Sequence, residues 1–221
     1  MKLFLNALAK FTAGLLLVAL LLFLPAGTIR YPGGLLFLCL LFVPMVLLGI
    51  LMLARARDLL ATRLDIKDKQ GTQTGGVAVM GLVFLSGFIL AGLDFRFGWS
   101  KVPLPVVIVA SVLFLVGYAL YAEVMRENAY LSRTIKVEEG QTVISTGLYA
   151  VVRHPMYTAS TVMFLALPLI LGSWYALIPF AFYPVIMVVR IRGEEKLLTA
   201  ELAGYEEYTR KVRYRLIPFI W

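Results

Sequence analysis

The sequence predicts an all-α integral membrane protein of about six transmembrane helices, the last two forming a short helical hairpin, followed by a C-terminal amphipathic helix. Two observations predict it. The 221 residues are 61% hydrophobic and 15% charged, against about 25% charged in an ordinary soluble domain. The apolar residues also fall into runs near the length that crosses a hydrocarbon core as helix, the conformation that pairs its own backbone groups.

The runs lie at residues 11–24, 35–53, 75–93, 104–122, 156–171 and 174–189. The first follows Lys2 and Lys10 and has the look of a signal peptide, but the charge pattern below needs it as a span. The last two are short and joined by Gly172 and Ser173, which predicts a tight hairpin. Pro44, Pro168, Pro179 and Pro184 fall inside runs, where each removes a helical hydrogen bond and invites a kink. One membrane domain over 1–221 is expected, with four N-terminal spans in 1–122 and a functional part in 123–221.

Loop charges test this segmentation. Loops on alternate sides carry eighteen Lys and Arg against three. The positive-inside rule then puts both termini and the 54–74 and 123–155 loops in the cytoplasm. The net charge of +8 is accounted for by orientation and by anionic lipid headgroups, with no nucleic-acid partner. Cys39, the single cysteine, excludes an intramolecular disulfide and a Cys-based metal site, and no metal is expected.

After Arg190, the residues Leu198, Leu202, Tyr205, Thr209 and Val212 recur at three or four positions, which predicts an amphipathic surface helix ended by Pro218. Glu206 with Arg210 and Glu207 with Lys211 have favourable i,i+4 spacing. The basic cluster Arg210, Lys211, Arg213 and Arg215 reads first as a headgroup contact.

Three polar groups converge on the predicted cytoplasmic face. Tyr149, Arg153, His154 and Tyr157 surround Pro155, which suits the first turn of a helix whose free amides would favour an anion. Arg190 and Glu194 share a helix face and can pair, while Glu195 points about 100° away. Tyr205, Tyr208, Tyr214 and Trp221 are either an interface belt or a wall around a cationic group such as a sulfonium. Dinucleotide, P-loop and zinc signatures are absent.

The ordered set "GLYAVVRHPMY", an apolar hairpin, "RIRGEEKLL", "GYEEYTRKV" and "RLIPF" resembles the isoprenylcysteine carboxyl methyltransferase family, with relatives among phospholipid methyltransferases. The resemblance covers Gly147 to Phe219. It implies a membrane enzyme that uses S-adenosylmethionine from the cytoplasmic side to methylate a lipid-like acceptor, with an isoprenylcysteine-like carboxylate foremost. It further implies that Tyr149, Arg153, His154, Pro155, Tyr157, Glu194, Tyr205 and Tyr208 form the cofactor site, and that Arg190 and Glu195 are the catalytic pair. Ala203 departs from the family's usual Phe, and the 123–142 loop has no match. Two alternatives stand beside this reading. One is a phospholipid N-methyltransferase. The other is an NADPH-dependent sterol-type reductase, whose family shares an Arg-His-Pro stretch and a tail like "YRLIP".

Overall fold

A computed structural model describes residues 2–55, 74–128, 137 and 140–221, and the described residues with regular structure are helical. In chain order they form α1 (Lys2–Ala26), α2 (Pro32–Arg55), α3 (Thr74–Phe97) and α4 (Leu104–Glu127). A 3-10 turn (Gly147–Ala150), α5 (Pro155–Ile170), α6 (Leu177–Phe180), α7 (Phe182–Glu201) and α8 (Tyr205–Lys211) follow.

Four of these helices are long and apolar enough to cross a membrane, over Leu3–Ala26, Pro32–Arg55, Ala78–Phe97 and Leu104–Glu127. At 1.5 Å per residue, such lengths match a hydrocarbon core about 30 Å thick. The expectation of six spans is therefore not met as stated. Helix α5 is apolar but has 16 residues. The expected sixth span is interrupted between the single turn α6 and the longer α7 at Ala181, which keeps helical dihedrals and donates its N–H to the Leu177 carbonyl. Pro184 explains it: a continuous helix would set its ring against the carbonyl of Phe180, whereas the first turn of a new helix tolerates proline. Helix α7 then carries "RIRGEEKLL" on the same rod as its apolar half.

The loops gather at two ends. At one, the Tyr31 hydroxyl donates to the Leu171 carbonyl at 2.6 Å. There Asp94 accepts hydrogen bonds from the hydroxyls of Ser100 and Ser173, which fasten the loop after α3 to the α5–α6 turn. At the other end, Thr146 donates to Glu127 at 2.6 Å and Asn128 to the Tyr149 hydroxyl at 2.7 Å. This is the end expected to face the cytoplasm. Of the 54–74 loop counted above, residues 56–73 lie outside the described residues.

The core between the ends is aromatic. Phe84 meets Phe164 edge-on at 4.7 Å and Phe180 at 5.4 Å, while Phe37 meets Phe88 and Phe114 at 5.8 Å. Close helix approach depends on small residues: a Cβ on Gly117 would lie 2.6 Å from Met163 Cγ, and one on Gly33 2.6 Å from the Leu171 carbonyl oxygen. The outer faces expose Leu16, Leu20, Leu24, Leu104 and Val189, a girdle suited to lipid.

The expected amphipathic helix over the tail is broken. Gly204, at φ 82°, reverses the chain after Glu201, and α8 is only seven residues long. The apolar pattern nevertheless marks a buried cluster of Leu202, Tyr205, Tyr208 and Val212, backed by Val143 and Leu198. Beyond Lys211 the chain runs extended and ends in a turn at Pro218–Ile220 rather than continuing as helix.

Candidate active site

The site is assembled where α4, α5, α7 and the tail meet. Gly147 opens the 3-10 turn at φ 50°, and its backbone lies so close to the Glu127 carboxylate that a Cβ would collide with it. The turn delivers a buried Tyr149, whose carbonyl accepts the Tyr208 hydroxyl at 2.7 Å. Tyr149 thus joins the end of α4 to α8.

Pro155 stands at the first position of α5, as expected, with His154 as N-cap. The amides flanking it are not free, however. Arg153 N–H donates to the Tyr214 carbonyl and His154 N–H to the Arg215 carbonyl, both at 2.9 Å. The Thr158 hydroxyl adds a bond to the Leu216 carbonyl at 2.6 Å. The expected anion-favouring amides have instead been taken up by the tail, which lies along the entrance of α5 as a strand would.

Glu195 is the hub. Its buried carboxylate takes Arg215 Nε at 2.7 Å on one oxygen, and Arg153 Nη1 at 3.2 Å with His154 Nε2 at 3.3 Å on the other. Burial by itself raises the carboxyl pKa. Hydrogen bonds from His154 and Arg215 and the charges of Arg153 and His154 outweigh it, and hold the group below the ordinary carboxylate value. An ionised carboxylate only accepts, so His154 Nε2 carries the hydrogen.

Arg190 and Glu194 are brought together, though through Tyr157. The Tyr157 hydroxyl donates to Glu194 Oε2 at 2.7 Å and accepts from Arg190 Nε at 2.8 Å. The guanidinium also lies 5.8 Å from the Tyr157 ring centre. That ring is stacked on His154 at 5.7 Å, so the two carboxylate units share a wall. Glu194 and Glu195 diverge as expected of adjacent helical residues.

Tyr205 and Tyr208 are buried beside this cluster, and burial raises both phenol pKa values above the ordinary range. Tyr214 and Trp221 do not join them: Tyr214 packs on Phe219, and Trp221 lies under the Arg215 guanidinium at 5.3 Å. The expected aromatic wall is therefore two separate groups. Among the described residues, Arg153 Nε and the Tyr205 hydroxyl are buried with no hydrogen-bond partner. Two donors at the edge of a polar cluster can serve a ligand that accepts hydrogen bonds.

Sequence reasoning missed Arg215, read as a headgroup contact, although it makes the shortest bond to Glu195. It also missed Thr158, Glu127 and Asn128, which tie the tail and the 3-10 turn in place. For Asn128 and Glu127 the available signal was a polar pair directly at the end of an apolar run. Arg215 carried no spacing signal, since it pairs across twenty residues of folded-back chain.

Residues 105–204 match the family model described as phospholipid methyltransferase. The chain is similar to that family over this stretch. The match holds Tyr149, Arg153, His154, Pro155, Tyr157, Arg190, Glu194 and Glu195, and stops before Tyr205. The chain is also 26% identical over 132 residues to a Mus musculus protein named Delta(14)-sterol reductase TM7SF2. That alignment takes in 53% of this chain and 32% of the mouse protein, so the chain spans about a third of its relative's length.

Proposed function

We propose that this chain is an S-adenosylmethionine-dependent methyltransferase acting on a lipid-borne carboxylate at the membrane face that holds the site. The similarity to the phospholipid methyltransferase family over residues 105–204, which contains the Glu195 hub and the Arg190–Tyr157–Glu194 unit, carries this reading. The residues fit the cofactor. Arg153 Nε and the Tyr205 hydroxyl are buried donors suited to its carboxylate, and Tyr149, His154, Pro155 and Tyr208 line the same region. Glu194 stands as an acceptor for its amino group. When bound, the cofactor supplies an electrophilic methyl group on a sulfonium, whose positive charge is lost on transfer.

The protein's task is then positioning and charge balance. Arg190, fixed by Tyr157, holds an acceptor carboxylate by a charge-assisted contact. Such an acceptor is already nucleophilic and needs no proton removed. An amine acceptor would need a base, and Glu195 is poorly suited to that task because three partners lower its basicity. An isoprenylcysteine-like carboxylate is accordingly preferred over a phospholipid amine. The acyl or prenyl chain would reach the site from the bilayer and the cofactor from the cytoplasm, with both chain ends on that side.

A second reading, an NADPH-dependent sterol-type reductase, is favoured by the similarity to the mouse protein and by the tail "RYRLIP". The unpaired Arg153 Nε would serve a phosphate as well as a carboxylate. Thermal-shift measurements on the purified protein with S-adenosylhomocysteine and with NADPH separate the two. Stabilisation by S-adenosylhomocysteine is expected, and stabilisation by NADPH alone overturns the methyltransferase reading.

A further inference from the structure

The tail does more than carry Arg215 to the site. From Leu216 it turns back on itself, so that the N–H groups of Arg215, Leu216 and Ile217 all point to the main-chain oxygen of Trp221 at 2.9, 2.9 and 3.1 Å. Pro218 and Phe219 form the bend, closed by Ile220 N–H to the Ile217 carbonyl at 3.1 Å. Phe219 is held at φ 67°, a left-handed conformation that glycine usually supplies. A bulky residue there is a sterically costly choice, and the rest of the chain does not bury it: Phe219 is 86% exposed, Ile220 77% and Ile217 42%.

The position of the hook says what covers these side chains. Leu216 and Trp221 pack into a cluster with Tyr157 of α5, Tyr183, Met187 and Ile191 of α7, and Met80 of α3. Met80 belongs to a helix that is long and apolar enough to span, and Tyr183 and Met187 lie in the apolar half of α7. The tail therefore reaches back from the polar cluster to the level of the apolar helix surfaces. Nearby on α7, Val185 and Val189 are exposed, an apolar face suited to lipid. Arg213, on the run into the hook, is exposed and matches an anionic headgroup.

We propose that the hook Leu216–Trp221 is docked in the lipid leaflet adjoining the site, with Ile217, Phe219 and Ile220 immersed at the boundary of headgroups and acyl chains. The hook joins α7 through the cluster of Leu216 and Trp221 with Tyr183, Met187 and Ile191, and its occupant is bilayer lipid rather than a second protein. The inference goes beyond the proposed activity and holds for either cofactor. It places lipid close to the buried cluster that holds Tyr157 and Leu216.

The test uses the full chain, with Cys39→Ser and Ile220→Cys, labelled with an environment-sensitive fluorophore in nanodiscs of phosphatidylcholine and phosphatidylglycerol. The same label at Glu207→Cys, on exposed α8, is the aqueous control. The label at 220 is expected to emit further to the blue and to lose more intensity to a doxyl quencher carried high on the acyl chain. Phosphatidylcholine-only nanodiscs test Arg213 separately, where weaker quenching at 220 is expected. Quenching at 220 no greater than at 207 in the mixed nanodiscs overturns the proposal. Loss of S-adenosylhomocysteine binding leaves this measurement unaffected.

Discussion

Replacing Glu195 by Gln tests the hub most directly. The carboxylate serves donors on both oxygens, Arg215 at 2.7 Å on one and Arg153 and His154 at 3.2 and 3.3 Å on the other. An amide can accept on one side only, so its NH2 group must face either the Arg215 donor or the other two. At least one hydrogen bond to a charged group is lost, about 1.5–3 kcal/mol. The guanidinium of Arg153, itself buried, also loses its counter-charge, for which removal of one partner of a buried pair costs about 3–5 kcal/mol. Arg215 is more open, with 36% of its side chain exposed, so solvent recovers part of the loss. A net cost of about 3 kcal/mol to the docking of the tail is expected, which is about a 100-fold rise in its opening equilibrium. Hydrogen exchange reads it at the amides of Arg153 and His154, which donate to the tail. Methyl transfer should be lost in the same variant while the apolar helices keep their protection. If those two amides exchange at the wild-type rate, Glu195 does not hold the tail and the hub has been misread.

Tyr157→Phe should leave the fold intact and slow turnover by about 10- to 100-fold, since one hydrogen bond to each of two charged groups is removed; steady-state kinetics on reconstituted protein measures it. Gly147→Ala should destabilise the site end by about 2 kcal/mol or more, because its positive φ and the Glu127 carboxylate both oppose a Cβ, and the ligand-induced thermal shift should shrink. Asp94→Ala, at the opposite end, should lower thermal stability by about 2–4 kcal/mol through three lost hydrogen bonds to Ser100 and Ser173, with ligand affinity unchanged. The Glu195 pKa is lowered in the folded protein, so its contribution is present above the unfolded value of 4.5 and is lost as pH falls through the folded one. The raised phenols of Tyr205 and Tyr208 contribute below their unfolded value of 10.0 and lose that contribution above it. Protection of the Arg153 and His154 amides, relative to their intrinsic exchange rates at each pH, should accordingly fall in acid below about pH 4.5 and in alkali above about pH 10.

What the sequence made legible follows from the range of the forces involved. Apolar runs placed α2 to α4 within about five residues at either end, because hydrophobic length is a local property, whereas α1 starts nine residues before the run expected at 11–24. Pro155 marked the start of α5 because proline acts on its own turn. The break at Ala181 was harder to read, since Pro184 is compatible with either a kink in one helix or the first turn of a second. Gly204 likewise could have been tolerated in a helix, and its positive φ accompanies burial of Tyr205 and Tyr208, the latter bonded to the Tyr149 carbonyl. Among the site residues, the His154, Tyr157, Arg190, Glu194 and Glu195 grouping was legible from order along the chain. Their wiring was not: an i,i+4 rule joins Arg190 to Glu194 directly, whereas a tyrosine from another helix stands between them.

The wiring divides the two glutamates by role. Glu195 is enclosed by Arg153, His154 and Arg215, and its neighbours are all positions whose backbone or side chain secures the tail. Among the described residues, half-buried Glu194 meets the Tyr157 hydroxyl, which also holds Arg190. A group saturated by three partners is a poor proton acceptor but a good anchor, and a group with one neutral partner retains acceptor capacity for a ligand. Glu195 therefore acts chiefly by fixing the tail and, through Leu216 and Trp221, the apolar flank of Tyr157. On the proposed reading, Arg190 and Glu194 are the charges that meet the reactants. Glu195→Asp separates these roles: a carboxylate shortened by one methylene keeps the charge but cannot span Arg215 and Arg153 together. It should raise KM for the cofactor more than it lowers kcat. Glu194→Gln should do the reverse of leaving the tail loose, keeping full exchange protection at Arg153 and His154 while weakening ligand binding.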